Sequence, residues 1–312
     1  MLANPVTETA ARLRRIAIPT VPPGLIRLSR LVATAIVIAI TILNVIWAVT
    51  DWHLLDMNVY WTAAEQWKAT GNPYTLVPGV SDNSVYRYAP WFAALWVPLT
   101  ELPRVVVNIA WSAALIVLSF TAVWPLFRAG GRSVFLFGLL MWGILFGMAA
   151  GGNSHGLVIA WLVFGVERRS GPLWIAMAAS LKVVPILYVL VYAGRRQWDR
   201  VFVTLALTAV LVAPMFLFNR PSLSSEFGLS NSLWSIAPWL WIVTVPIATA
   251  VGVVVAFRWN RYAWPTLGTV ANLVLPRLFL YDVTFLLPGL AETIERIRAN
   301  AHGQPDRRVA DA

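Results

Sequence analysis

The chain has 312 residues, of which 59% are apolar and 12% charged, with 17 Trp and a mean hydropathy of +0.69. That composition excludes an ordinary water-soluble domain and gives one polytopic membrane domain. The absence of cysteine excludes disulfides and thiolate metal sites. The net charge of +10 reads as arginines anchoring loops beside a membrane, not as a nucleic-acid footprint.

Residues 1–26 are polar, carry Arg12, Arg14 and Arg15, and lack the pattern of a cleavable signal peptide, so they read as a cytoplasmic N-terminal segment. A single transmembrane domain follows over 27–292. Apolar segments fall at 31–49, 89–100, 105–126, 133–149, 156–166, 172–193, 201–218, 233–257, 263–275 and 278–291. Residues 293–312 read as a disordered cytoplasmic tail. The fold class expected is all-α, a bundle with short or re-entrant helices.

After the first apolar segment comes "LDMNVYWTAAEQWKATGNPYT", Leu55 to Thr75. Val59, Ala63 and Trp67 recur every four residues with Tyr60 and Ala64 beside them, which predicts a helix from Asp56 to Ala69 with one apolar, aromatic face. Gly71 caps its end and Pro73 follows. Such a helix suits a membrane interface. Asp56 is either its N-cap, accepting from the amide of Asn58 or Val59, or a catalytic carboxylate, and Asp51 offers the same choice.

Segment 89–100 is too short to span and carries Pro90 and Pro98, and segment 172–193 is interrupted by Lys182 and Pro185. Broken segments survive at membrane depth when buried in protein or lining a cavity. If 89–100 dips in and returns, 172–193 turns back near Lys182, and the last two segments form another hairpin, then 18 of the 24 basic residues collect on one side. In that arrangement both termini are cytoplasmic. The stretch 51–88, the turn "GGNSHG", Lys182, the loop 219–232 and "PRLFLYD" meet on the outer side.

A lysine within an apolar segment costs about 2.5–3.5 kcal/mol to insert, which marks Lys182 as functional with a partner, against a plain salt bridge or snorkelling. Arg277 and Asp282 either neutralise each other or bind an anion. Tyr281 either hydrogen-bonds a ligand or joins an aromatic belt, and Arg87, between Tyr86 and Tyr88, either reads an anion or is solvated. His53 and Asp51 lack a further ligand at metal-binding spacing, so no metal site is assigned; Asp51 and Asp56 are where a weak divalent-cation dependence would fall.

The patterns "DMNVYWTAA" from Asp56, "GNPY", "YRYAP", "GNSHGLVIAW", "ASLKVVPILYVL" and Arg195-Arg196-Gln197-Trp198 occur in an order that resembles glycosyltransferase family 87 of the GT-C superfamily. Members of that family are polyprenol-phosphate-mannose-dependent alpha-mannosyltransferases. The likeness covers Asp56 to Trp198, more weakly through "PRLFLYD", and His155 stands where the family has Asn. It implies a cell-membrane transferase with its active site outside the cytoplasm and Asp56 as base for an acceptor hydroxyl. The implied donor is a polyprenyl-phosphate sugar, most simply mannose, with arabinose or glucose as alternatives. The implied acceptor is a glycolipid or cell-envelope glycan. Lys182, Arg87, Asn153, His155, Arg277, Tyr281 and Tyr60 would hold donor phosphate or sugar, with no cofactor. Two other classes stay open on the residues: a lipid or solute transporter, which also uses broken helices, and a scaffold subunit.

Overall fold

The computed structural model describes residues 23–50, 54–75, 86–218, 232–276 and 278–301. Asp51, His53, Arg277, the loop 219–231, the first 22 residues and the tail after 301 lie outside them. The described chain is helical, with no strand. Helix α1 spans Pro23–Thr50, α2 Leu55–Thr70, α3 Pro90–Trp96, α4 Arg104–Ala129, α5 Arg132–Ala150, α6 His155–Gly165 and α7 Gly171–Leu181. Then come α8 Val189–Gly194, α9 Trp198–Val212, α10 Leu233–Ile236, α11 Pro238–Arg258, α12 Ala263–Val274 and α13 Leu290–Ala301. Proline opens α3 and α11 and stands in the first turn of α7, where its missing N–H costs nothing.

Among the described residues four stretches are long and apolar enough to cross a membrane: α4, α5, α9 with its 3₁₀ extension to Leu217, and α11. They differ in cover. In α5, 44% of the most apolar window is buried within the protein, against 17% in α9 and in α11. Of these four α5 is the most enclosed, with Gly143 against Thr41 of α1 and Gly138 against Phe127 of α4, while the shorter α6 and α7 are mostly buried.

The break expected in segment 172–193 falls at Lys182, whose extended backbone (φ −138°, ψ 115°) ends α7. A 3₁₀ turn over Val184–Tyr188 and then α8 carry the chain back. The two feet of this hairpin are tied together: Tyr192 Oη donates to the Val166 carbonyl, and Arg195 makes a bidentate pair with Glu167 at 2.7 and 2.8 Å. A second hairpin runs up α12 and returns through a 3₁₀ turn over Leu280–Leu286, reaching Trp264 again at Gly289. Tyr188 Oη donates to the Phe285 carbonyl and joins the hairpins. Segment 278–291 is the return limb of this hairpin, as the pairing of the last two apolar segments predicted, and it opens with the 3₁₀ turn in which the Asp282 carboxylate accepts the Phe279 N–H at 2.8 Å.

Residues 293–301, assigned from sequence to a disordered tail, belong to helix α13. Their apolar residues Ile294 and Ile297 are spaced for one face, and Thr293 is buried.

Two ends of the bundle result. One carries the start of α2, the turn 151–154, the break at Lys182 and the turn 278–282. The opposite end carries the connections α4–α5, α6–α7, α8–α9 and α11–α12, the last three tied by Glu167, Arg195 and Asn260. The loops "RAGGR" and "ERRSG" therefore share an end, as the arginine pattern required.

Candidate functional site

Helix α2 spans one residue more at each end than its periodicity predicted, and Gly71 closes it in the left-handed region (φ 74°) with its N–H on the Trp67 carbonyl. Its apolar face does not meet lipid. Val59, Tyr60, Ala63 and Ala64 are buried in protein, and Tyr60 packs among Phe92 and Trp96 of α3 and Trp111 of α4 at centroid distances of 5.0–6.2 Å.

Asp56 is not the N-cap. Leu54, in the left-handed region at φ 46°, takes that position without a side-chain bond. Asp56 sits one residue inside the helix, where its N–H, an unpaired donor of the first turn, reaches the Gly151 carbonyl at 3.1 Å. Its carboxylate accepts from Asn153 Nδ2 at 3.1 Å. The turn that supplies both partners depends on Gly152, at φ 74°, where an added Cβ would lie 2.7 Å from Met57 Cβ. Trp111 Nε1 fixes the Gly152 carbonyl at 2.8 Å. Asn153 Oδ1 accepts the His155 N–H at 2.8 Å, which orients its amide so that the Nδ2 side faces Asp56.

The carboxyl of Asp56 is half-buried, and burial raises it above the ordinary carboxylate range, with the Asn153 hydrogen bond and the Lys182 charge pulling the other way. The N-termini of α2 and α6 both open here, so two helix dipoles favour negative charge in the same place.

Lys182 Nζ lies 4.3 Å from the centroid of the Tyr281 ring, and among the described residues it makes no hydrogen bond or close ion pair. Asp282 and Asp56 are the carboxylates whose charges act on it. Arg277, which the sequence offered either as a partner of Asp282 or as an anion ligand, lies outside the described residues; the Asp282 carboxylate accepts the Phe279 N–H and its charge acts on Lys182. Tyr281 stacks on Phe279, with centroids 5.3 Å apart and planes at 12°, and carries the ammonium on its ring.

His155 is fully buried. Its Nε2 lies 2.7 Å from Thr284 Oγ1 and 3.0 Å from the Tyr281 carbonyl. That carbonyl only accepts, and the Thr284 hydroxyl donates to it at 2.7 Å, so Nε2 of the neutral ring carries the hydrogen. The imidazole donor is thus committed to holding the 281–284 turn beside Lys182. Tyr60 is committed too: its hydroxyl accepts the Ser154 N–H at 3.1 Å and donates to Ser154 Oγ at 3.2 Å.

The structure thus brings Asp56, Asn153, Lys182, Tyr281, His155 and Tyr60 to one end, the last two as braces. Arg87 is half-buried on the loop leading to Tyr88. Tyr88 itself escaped the sequence reading. Its ring meets Tyr60 at 5.4 Å, and burial together with the Asp56 charge pushes its phenol up to about 12. The motif "YRYAP" held the signal, but emphasis fell on its arginine. Thr284 and Asp282 gained their partners only through the fold. Among the described residues no three His, Asp or Glu side chains gather into a metal-binding group.

No family model, no curated protein and no solved structure matches this chain.

Proposed function

We propose that the protein is an integral-membrane glycosyltransferase that moves a hexose, mannose in the simplest case, from a polyprenyl-phosphate donor to a glycolipid or envelope-glycan acceptor. The observation that carries this reading is one arrangement: a half-buried carboxylate, Asp56, aimed by Asn153, shares its end of the bundle with a lysine whose ammonium, among the described residues, has a ring face and no hydrogen bond or close ion pair. A base and a cation without a close ion pair are what sugar transfer from a lipid phosphate needs.

In the proposed step an acceptor hydroxyl oxygen attacks the anomeric carbon as its proton passes to Asp56, a general-base contribution of about 10²- to 10⁴-fold. The bond from that carbon to the phosphate oxygen breaks, and the sugar is inverted. Polyprenyl phosphate leaves with its growing negative charge directed at Lys182. The cell membrane is the proposed location, with this end outside the cytoplasm and both termini inside.

Membranes containing wild-type or Asp56→Asn protein, supplied with radiolabelled polyprenyl-phosphate-mannose, test the assignment. Incorporation falls by two orders of magnitude or more in the variant; equal incorporation in both rejects Asp56 as base. The paired hairpins favour a transporter as the second reading. It predicts movement of labelled lipid between leaflets without a new glycosidic bond.

A further inference from the structure

The far end of the bundle is built differently, and its make-up points to a ligand independently of the transferase reading. Three connections meet there, 166–170, 195–197 and 259–262. Side-chain bonds lock them together: Arg195 Nε donates to Asn260 Oδ1 at 2.6 Å, and Arg200 Nη2 donates to the Arg168 carbonyl at 2.9 Å. With the adjoining helix ends they hold Arg168, Arg169, Arg195, Arg196, Arg200, Arg258 and Arg261, seven arginines, against two acids, Glu167 and Asp199.

The arginines divide by what they touch. Arg195 and Arg200 are spent inside the protein, on Glu167, Asn260 and the Tyr192 ring. Arg261 lies over Tyr262. By contrast Arg168, Arg169, Arg196 and Arg258 are exposed, and among the described residues their guanidinium groups meet no carboxylate. Four bare cations on a rigid platform repel one another unless an anion lies among them.

Their height along the bundle selects the anion. Above them α9 and α11 present aliphatic and aromatic side chains that no protein covers, such as Phe202 at 67% exposure and Ile247 at 58%. At the feet of the same helices stand Trp198, 49% exposed, and Trp259, 54% exposed. Arg196 precedes Trp198 at the start of α9, and Arg258 adjoins Trp259 at the end of α11, so guanidinium and indole groups share the feet of the two helices. Exposed hydrocarbon, then indole with guanidinium, is the order of acyl chain and headgroup interface in one leaflet.

We propose that Arg168, Arg169, Arg196 and Arg258 form a docking surface for the phosphates of an anionic phospholipid leaflet. Each arginine near such a surface strengthens attraction by a factor of about five. Nucleic acid fits less well, since the indoles and the hydrocarbon directly above the patch would face water.

The test uses the full chain, purified in a neutral detergent and exchanged into an equal mixture of phosphatidylcholine and phosphatidylglycerol, with the retained lipid identified by mass spectrometry. Wild type is expected to enrich phosphatidylglycerol by about fivefold or more, and added salt should reduce that enrichment. Replacing the four arginines with Gln should abolish it, and replacing them with Lys should keep most of it. A nucleic-acid duplex or inorganic phosphate at matched ionic strength should displace no more lipid than chloride does. Retention of the two lipids in the supplied ratio by wild type overturns the proposal. So does undiminished enrichment in high salt, which needs no variant to fold, and so does displacement by the duplex, which assigns the patch to nucleic acid.

Discussion

The two ends of the bundle hold charge in opposite ways. Among the described residues, Asp56, Glu65, Glu101 and Asp282 at the site end balance Lys68, Arg87, Arg104 and Lys182, while the three connections at the far end hold seven arginines against two acids. At the first end three of the charges are placed individually: Asp56 by an asparagine, Asp282 by a backbone amide, Lys182 by a tyrosine ring. At the second they are numerous and interchangeable. Charges of the first kind are worth much and tolerate little, because a buried charge without its partner pays the full desolvation cost. Charges of the second kind act in sum and are individually dispensable.

Substitutions that separate these two behaviours sharpen the contrast. The largest effect belongs to Lys182→Met, which keeps the stem and removes the ammonium. Turnover should fall about 10²- to 10³-fold, the loss typical for one charge-stabilising donor, and a measured loss below tenfold would place the departing charge elsewhere. Next is Gly152→Ala, which forces a Cβ onto Met57 at φ 74°. It should cost about 1–3 kcal/mol of stability, read as a lower unfolding temperature in detergent; an unchanged temperature would mean the 151–154 turn does not hold α2.

Asn153→Ala tests the placement of charge through pH. Burial raises the Asp56 carboxyl and the Asn153 hydrogen bond favours its ionised form, so activity should be lost as pH falls through the raised value. Removing the donor should move that acid limb further upward. A limb that stays in place would show that Asn153 does not act through the carboxylate. The smallest effect is at the far end. Burial would raise Glu167, but the hydrogen bonds and charge of Arg195 outweigh it and hold the carboxyl below its ordinary range. The sign follows: the pair stabilises above the ordinary carboxylate range, and that contribution is lost as pH falls. Because Glu167 is 41% exposed, Glu167→Gln should cost no more than about 1 kcal/mol near neutrality. It should leave transfer activity intact, and the variant and wild type should converge in acid.

Much of this was legible in the sequence because it follows from local pattern. Hydrophobic length gave α4 and α5; the Lys182 and Pro185 pair gave the break and the reversal, and the spacing of arginines gave which loops share an end. What escaped depends on distant partners. Asp56 could be a cap or a catalytic carboxylate on local pattern, because nothing local reveals that Gly151 and Asn153, nearly a hundred residues on, will take its amide and its carboxylate. The apolar face of α2 suggested an interface because a periodic stripe is the same whether lipid or Trp111 covers it. His155 looked like a donor to substrate until Thr284 and the Tyr281 carbonyl claimed its Nε2.

The tied feet of the α7–α8 hairpin carry a consequence for how this chain can change length. Val166 and Glu167 meet Tyr192 and Arg195, so the path out to Lys182 and back is closed on itself like a loop on a fixed base. Residues added at the α4–α5 turn, between Gly130 and Gly131, extend into open space at the far end. Residues added beside Lys182 would lengthen a path whose two feet are fixed, and so carry its ammonium away from the Tyr281 ring. Insertions during divergence should therefore gather at the arginine-bearing turns and spare the 181–185 break, so that the reach of Lys182 stays constant while the overall length drifts.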